Sequence, residues 1–499
     1  MEGEMSMDQV YNPYLPLDEY IPDGEPHVFG DRVYIYGSHD KSGGKVYCEG
    51  HYEVWSAPVD DLRNWRNEGI SYLRWQDPSN ADDRMQLWAP DVTKGPDGRY
   101  YLYYCFSFYP EIGVAVSDRP QGPFEFLGHV KNPDGTVYGK RPGDFLPFDP
   151  AVLTDDDGRV YLYSGFAPAG PKEMILPDFS DEELAAMPEG QQKMLKGLRS
   201  IRFDEDSMCG ELETDMVTLK EEMHPLIPGG KHEQGTGFEG HPFFEASSIR
   251  KLDGRYYFVY SSYLSHELCW AVSDHPDRDF RFGGILVSNC DMGFNGRKTP
   301  ANIAGNNHGG LVRIGQDVYV FYHRQTEGSE FSRQGCAEKL TMNPDGTFAQ
   351  AEITSCGLNG GPLAASGSYP AAIACHLTDD TVTGRIDYSD PVMQNQIQIT
   401  ARHGTSLITN IHSGAVIGYK YFRFEHTDTL LLEMRGNFTG TVSVSHDAQS
   451  SEKIGTLSVA PDDAWRLFPV SVSPKAGKQA LYLHFSGDGT AELKQIAFL

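Results

Sequence analysis

Four acids and a histidine stand at one phase of a repeating pattern: Asp23 in PDGEPHVF, Asp91 in LWAPDV, Asp149 in FDPAVL, Glu245 in FFEASSIRK and His308 in NNHGG. Each lies just upstream of a Tyr-rich segment. The segments read GDRVYIYGSHD from Gly30, PDGRYYLYYCF from Pro96, DDGRVYLYSGF from Asp156, LDGRYYFVYSS from Leu252 and IGQDVYVFYHR from Ile314. Asp23, Asp149 and Glu245, brought to one place, suit cleavage of a glycosidic bond. That reaction needs a carboxylic acid to protonate the leaving oxygen and a carboxylate to activate water or attack the anomeric carbon. A third carboxylate holds the acid's pKa up by like-charge repulsion. Taken singly, an Asp beside Pro or Gly is more often a turn or cap residue. The argument for chemistry is the shared phase.

The elements that must position these groups are strands. Asp-Gly or Gly-Asp supplies the positive φ angles of a tight turn, and the β-branched and aromatic residues that follow suit a pleated, buried strand. Every copy therefore predicts a hairpin. Copies recur every 60 to 70 residues or so, with one longer gap, as four-stranded propeller blades would. Five copies predict five blades, whose equivalent positions converge on one axial funnel.

Other residues around that funnel have two readings each. Asp91 would either bond backbone groups or touch substrate. Trp88 would either wall a sugar subsite with its ring or pack between blades. His308 would line the central channel and help hold a cation or ordered water, or serve as a structural histidine. Arg250, Arg297, Arg324 and Arg333 are all candidates to donate to sugar hydroxyls or to a catalytic carboxylate.

The 499 residues are too many for one ordinary core, and 12% aromatic content with 53 glycines and 31 prolines predicts an all-β, turn-rich chain. A formal charge of −28 without a Lys/Arg cluster excludes nucleic acid and anionic membrane as partners and favours a neutral oligosaccharide. The N-terminus MEGEMSMDQVYNPYLP has neither a basic region nor an apolar core, so a cytoplasmic protein is expected. Eight cysteines are scattered singly, without metal-ligand spacing, and predict free thiols. Between the third and fourth copies, PDFSDEELAAMPEGQQKMLKGLRS predicts a short helix pair, with a Ser180/Glu183 capping box and an interruption at Pro188. The predicted organisation is a propeller over 1–360, a linker over 361–381 and a β-sandwich (jelly-roll) domain over 382–499, where TLLLEMRG, GTVSVSHD and RLFPVSVS alternate.

These motifs, in their order, resemble glycoside hydrolase family 43. NPYLP with PDGEPHVFGDRVYIYGSHD is similar to its first blade, LWAPDV to its second, FDPAVLTDDDGRVYLYSG to its third, FEASSIRKLDGRYYFVYSS to its fourth and NNHGGLVRIGQDVYVFYHR to its fifth. The resemblance implies a five-bladed β-propeller and an inverting mechanism with Asp23 as general base, Asp149 as pKa modulator and orienter, and Glu245 as general acid. It implies that His308 helps bind Ca²⁺ in the channel, mostly through water, and that Arg333 in FSRQGCAEKL reaches the substrate. Catalysis itself needs no cofactor. Where many members have Asp-Pro after the base, this chain has Gly24 and Glu25, which makes Glu25 a rival carboxylate beside Asp18 and Glu19. The C-terminal stretch resembles a family 6 carbohydrate-binding module, a β-sandwich often holding a structural Ca²⁺, with Tyr419, Tyr421, Phe422 and Trp465 as its candidate aromatics. The expected activity is exo-acting release of xylose or arabinofuranose from plant-derived oligosaccharides. An endo-acting arabinanase or other furanosidase, or a carbohydrate-binding propeller without catalysis, are the alternatives.

Overall fold

A computed structural model describes residues 9–499 apart from 108, 169–179, 188–191, 193, 194, 197, 198, 200, 203, 204 and 380–394. The chain is all-β apart from short helical turns. Sheet one comprises β1 (Glu25–Phe29), β2 (Arg32–Tyr36), β3 (Tyr52–Pro58) and β4 (Arg66–Tyr72). Sheet two comprises β5 (Leu87–Lys94), β6 (Tyr100–Phe106), β7 (Tyr109–Ser117) and β8 (Glu125–His129). Sheet three comprises β9 (Ala151–Thr154), β10 (Val160–Ser164), β11 (Met208–Leu212) and β12 (His224–Pro225). Sheet four comprises β13 (Phe243–Leu252), β14 (Arg255–Ser262), β15 (Glu267–Ser273) and β16 (Arg281–Ser288). Sheet five has three strands among the described residues rather than the expected four: β17 (Leu311–Ile314), β18 (Asp317–Thr326) and β19 (Ser329–Leu340).

The Tyr-rich copies are the second strands of the five sheets, and each is paired antiparallel with the first strand before it. Where the connection is two residues, the turn chemistry is visible: Asp253 and Gly254 both take positive φ, 52° and 80°. First strands contact one another in order, β1 with β5, β5 with β9, β9 with β13, β13 with β17, and β17 with β1, so the five sheets close into a ring.

Why tyrosine recurs follows from the two-residue period of a strand. Tyr34 and Tyr36 of β2 face a core shared with sheet two, while Val33 and Ile35 face a core shared with sheet five. The same division holds around the ring. Tyr101 and Tyr103 face sheet three, Tyr161 and Tyr163 face sheet four, and Tyr257 and Val259 face sheet five. A ring this large needs a polar tip that can be satisfied at the edge of the core. Tyr36, Tyr103, Tyr163 and Tyr257 donate their hydroxyls to the carbonyls of Pro120, Met216, Pro276 and Gly346, at 2.6 to 2.9 Å.

Helix α1 (Asp181–Ala186) carries the expected capping box: Ser180 Oγ accepts from the Glu183 amide and Glu183 Oε2 from the Ser180 amide. Pro188 and much of the expected second helix lie outside the described residues. All eight cysteines are buried and free. Among the described residues, no helix is long and apolar enough to cross a membrane.

The stretch 361–381 is not a linker in its described part. Its strands β20 (Leu363–Ala364), β21 (Gly367–Pro370) and β22 (His376–Thr378) already pair within two six-stranded sheets. The remaining strands are β23 (Gln398–Arg402), β24 (Thr405–Ile411), β25 (Val416–Phe424), β26 (Thr429–Gly436), β27 (Thr439–Ser445), β28 (Lys453–Val459), β29 (Asp462–Ser471), β30 (Gly477–Asp488) and β31 (Ala491–Phe498). Both sheets enclose one core that includes Ile417, Phe422, Leu432, Val442, Leu483 and Ile496. Ala371, Ala372 and Ala374, inside the expected linker, are fully buried in the core that the two sheets enclose.

The two units are joined through buried polar groups. Arg324 of β18 donates to the carbonyls of Ala372 and Ala374 at 2.8 and 3.1 Å. Lys420 of β25 reaches Asp291 at 2.8 Å and Glu352 at 3.0 Å. Breaking such a buried pair strands an uncompensated charge, worth about 3–5 kcal/mol. Lys420→Met is expected to lower the thermal midpoint of the whole protein clearly, as read by calorimetry, whereas the exposed Lys475→Met leaves it unchanged.

Candidate active site

Asp23 and Asp149 each lie two residues before the first strand of a sheet, and both take left-handed backbone angles, φ 55° and 45°. In sheet four the same conformation falls on Ala246, φ 66°, inside a bulge of β13 that re-aims Glu245. Non-glycine residues adopt this region at a cost and cluster where a side chain must be aimed. The Ala246 amide donates to Asp149 Oδ2 at 3.0 Å, so sheet three fixes the backbone beside Glu245.

Asp23 is held by a buried cation. Arg333 of β19 donates from Nη1 to Asp23 Oδ1 at 2.9 Å, and from Nε and Nη2 to the two oxygens of Asp40 at 2.8 and 3.0 Å. Tyr47 lies against the guanidinium, 4.8 Å away at its ring centroid. Burial raises the Asp23 carboxyl, but Arg333, the two histidines His323 and His308 and the Ser38 hydroxyl together outweigh it, and the group sits below the usual carboxylate range. The Asp23 amide donates to His323 Nδ1, and His323 Nε2 lies 2.8 Å from the Asn306 carbonyl. That pattern makes His323 a neutral imidazole with its proton on Nε2. Burial likewise pushes its pKa down to about 3.

Glu245 has no such cation bonded to it. Burial first, then the Asp23 charge, push it up to about 8. Burial and the neighbouring Glu245 carboxylate also push Asp149 up. Two neighbouring carboxyls that are both raised retain a proton at neutral pH. The site therefore holds an ionised carboxylate and a proton-bearing carboxyl pair, the requirement for combined base and acid catalysis.

The remaining predicted residues sort by contact. Asp91 is a correction: it is 0% exposed, and its oxygens accept from the amides of Val92 and Val152, each at 2.8 Å, and contact His27 Nε2 at 2.6 Å. It ties sheet two to sheet three and is sealed from substrate. Trp88 is half-buried and belongs to an arc of rings, Phe331, Tyr47, Trp88, Phe148, Phe166 and Phe244, whose successive centroids lie 4.8 to 6.0 Å apart. Phe148 and Phe244 precede Asp149 and Glu245, so the arc borders the carboxylates. Arg333 engages Asp23 and Asp40 rather than standing free for a substrate. Among the rivals, Glu25 pairs with Arg250 Nη2 at 2.6 Å and Ser248 Oγ at 3.0 Å, and Glu19 pairs with His39 at 3.1 Å.

His308 is buried between Asp149 and Glu25, its Nδ1 3.6 Å from Asp149 Oδ2 and its Nε2 3.9 Å from Glu25 Oε1. Glu25 Oε1 is buried and has no hydrogen-bond partner. An orphaned carboxylate oxygen facing an imidazole nitrogen is a donor set that fits a small cation. Among the described residues, no three-donor cluster of His, Cys, Asp and Glu lies in the second unit. Asp40, Tyr47 and the phenylalanines of the arc escaped the sequence reading. Only Asp40 left a signal there, as the last residue of the first Tyr-rich copy.

Arg333→Gln is expected to raise the pKa of Asp23, so that the acid limb of kcat/KM moves up by about 1–3 pH units. Arg333→Lys should move it less. A pH profile with an unchanged acid limb in both would exclude this coupling.

The model for glycosyl hydrolases family 43 matches residues 12–211. A xylosidase/arabinosidase of Bacteroides ovatus is 32% identical over 354 residues, covering 68% of this chain and 97% of that one. The crystal structure of a family 43 arabinoxylan arabinofuranohydrolase from Bacillus subtilis, in complex with cellotetraose, superposes with a TM-score of 0.50 over 98% of this chain and 97% of that one. At 21% identity it speaks to the fold alone. A xylosidase/arabinosidase of Thermoclostridium stercorarium is 43% identical over 495 residues, 97% of this chain and 98% of that one. Likeness of that degree along nearly the whole length places the chain in glycosyl hydrolase family 43, as a glycoside hydrolase.

Proposed function

We propose that the protein is an inverting, exo-acting hydrolase that releases a terminal pentose, xylose or arabinofuranose, from plant-derived oligosaccharides. The observation that carries this reading is the separation of two buried carboxyls to opposite sides of neutrality, Asp23 lowered by Arg333 and Glu245 raised to about 8. Asp23 takes a proton from water as it attacks the anomeric carbon, and Glu245 gives its proton to the leaving oxygen, in a single displacement. Asp149 positions Glu245 through the Ala246 amide and, as the other carboxyl of the raised pair, serves as the acid's pKa modulator. The names of the relatives at 43% and 32% identity support the pentose assignment. Trp88 and its neighbouring rings offer faces on which the apolar side of a sugar ring can stack.

The ring of five sheets is read here as a five-bladed β-propeller with the site on its axis, and the second unit as a β-sandwich of the carbohydrate-binding-module type. Glu25 and His308 would hold a Ca²⁺ ion, which supplies positive charge behind the carboxylates when bound. His308 stays a neutral ligand because burial lowers its pKa to about 4.

The test is hydrolysis of aryl β-D-xylopyranosides and α-L-arabinofuranosides. Asp23→Asn is expected to lose on the order of 10²–10⁴-fold on every substrate. Glu245→Gln should lose as much on a poor leaving group and little on dinitrophenyl glycosides, which need no acid. In the wild type, kcat/KM should fall as pH rises through about 8, where Glu245 loses its proton, and this alkaline limb should vanish in Glu245→Gln. Product of retained anomeric configuration, or a wild type inert on both sugars, would defeat the reading.

A further inference from the structure

The seam between the two units forms an open cavity of about 390 Å³, walled by Arg297 and Glu352 on one side and by Tyr421, Gln449, Lys478 and Tyr482 on the other. That size lies within the range of small-molecule pockets, roughly 300–1,000 Å³. Its carboxylates are already used. Glu352 accepts from Lys420 Nζ at 3.0 Å and from the Tyr421 hydroxyl at 2.7 Å. Asp447 accepts from the amides of Gln449 and Ser451 at 2.9 and 3.1 Å on one oxygen, and from that of Glu452 at 2.6 Å on the other.

Of its three cations, Lys420 is held by Asp291 and Glu352, and the other two are not so used. Among the described residues Arg297 and Lys478 have no carboxylate partner, and Lys478 Nζ lies 4.0 Å over the Tyr421 ring. Two unpaired positive groups thus face one cavity in a chain of formal charge −28. The surface at large repels anions, so a cationic cavity is a local departure with a chemical preference. A planar guanidinium is the side chain best matched to a carboxylate. The tyrosine rings offer apolar faces, and Gln449 and Gln479 bring amides that match hydroxyls.

We propose that this cavity binds a carboxylate-bearing sugar, a uronic-acid unit, with the carboxylate on Arg297 and Lys478. The sugar half of the assignment rests on the reading of the protein as an oligosaccharide hydrolase; the anionic half rests on the unpaired cations alone. Bound there, an acidic side group of a longer chain would anchor the substrate across both units.

The experiment titrates D-glucuronate, D-glucose and inorganic phosphate separately into the intact protein, with calorimetry or saturation-transfer NMR as the readout. Glucuronate is expected to bind about tenfold or more tighter than glucose, and Arg297→Gln and Lys478→Gln are each expected to weaken it about five- to tenfold. Both variants should keep wild-type kcat/KM on aryl pentosides. Glucuronate binding no tighter than glucose, or untouched in both variants, would overturn the proposal. Phosphate binding as tightly as glucuronate would also overturn it, by reducing the cavity to a plain anion site. Variants that lose aryl-pentoside activity in parallel would place the effect at the carboxylates and overturn it too. A wild type that binds glucuronate yet is inert on pentosides would sustain this site and defeat the hydrolase reading instead.

Discussion

A single buried guanidinium carries both the closure of the ring and the charge state of the site. Arg333 belongs to β19, the last strand of the five sheets, while its partners Asp23 and Asp40 belong to the first sheet. Any ring of sheets must close between its ends, and here the closing contact is also the one that keeps Asp23 ionised. Desolvating three charges is costly, and the arrangement is tolerable only because the guanidinium's donors meet both oxygens of Asp40 and one of Asp23. Asp149, as buried as Asp23, and the half-buried Glu245 lack a bonded cation. They rise where Asp23 falls. The division between base and acid thus follows from where one arginine lies.

The neighbouring strand of the same sheet meets the second unit. Sheet five is the one with only three strands among the described residues, and its β18 is the strand against which the second unit docks. Arg324 donates across the seam to the carbonyls of Ala372 and Ala374, and the Glu327 amide donates to the Ile399 carbonyl. Asn12 does comparable work from the N-terminal side, exchanging hydrogen bonds with Ala337 and reaching Glu338. Sheet five is therefore braced on both flanks, and Arg333 projects from a strand that cannot shift independently. Orientation at an active site is worth this bracing, since a displacement of an ångström is enough to cost catalysis.

Much of the ring was legible in the chain. Alternate residues of YIY, YLYY and YFVY face different neighbouring sheets because each second strand has one neighbour on each side, and a period of two records that directly. The four acids and the histidine were legible as a set because they share a phase, yet their roles were not. Asp91 reads the same as Asp149, and only the hydrogen bonds to Val92 and Val152 separate a sheet tie from a site residue. The stretch 361–381 misled for a physical reason. Small residues mark flexible connections and also positions where two sheets approach closely, and the composition is the same in both cases.

By itself the sequence determined that the chain is all-β, that five hairpins repeat, and that Asp23, Asp149 and Glu245 occupy equivalent positions, because periodicity and turn chemistry are local properties. Tertiary structure alone decided which carboxyl is ionised. A pKa depends on what lies within a few ångströms in space, and Arg333 is some 310 residues from Asp23 along the chain. It alone likewise decided the aromatic arc beside the carboxylates and the cationic cavity at the seam. Those groups come from different sheets and from both units, so no window of sequence contains them together.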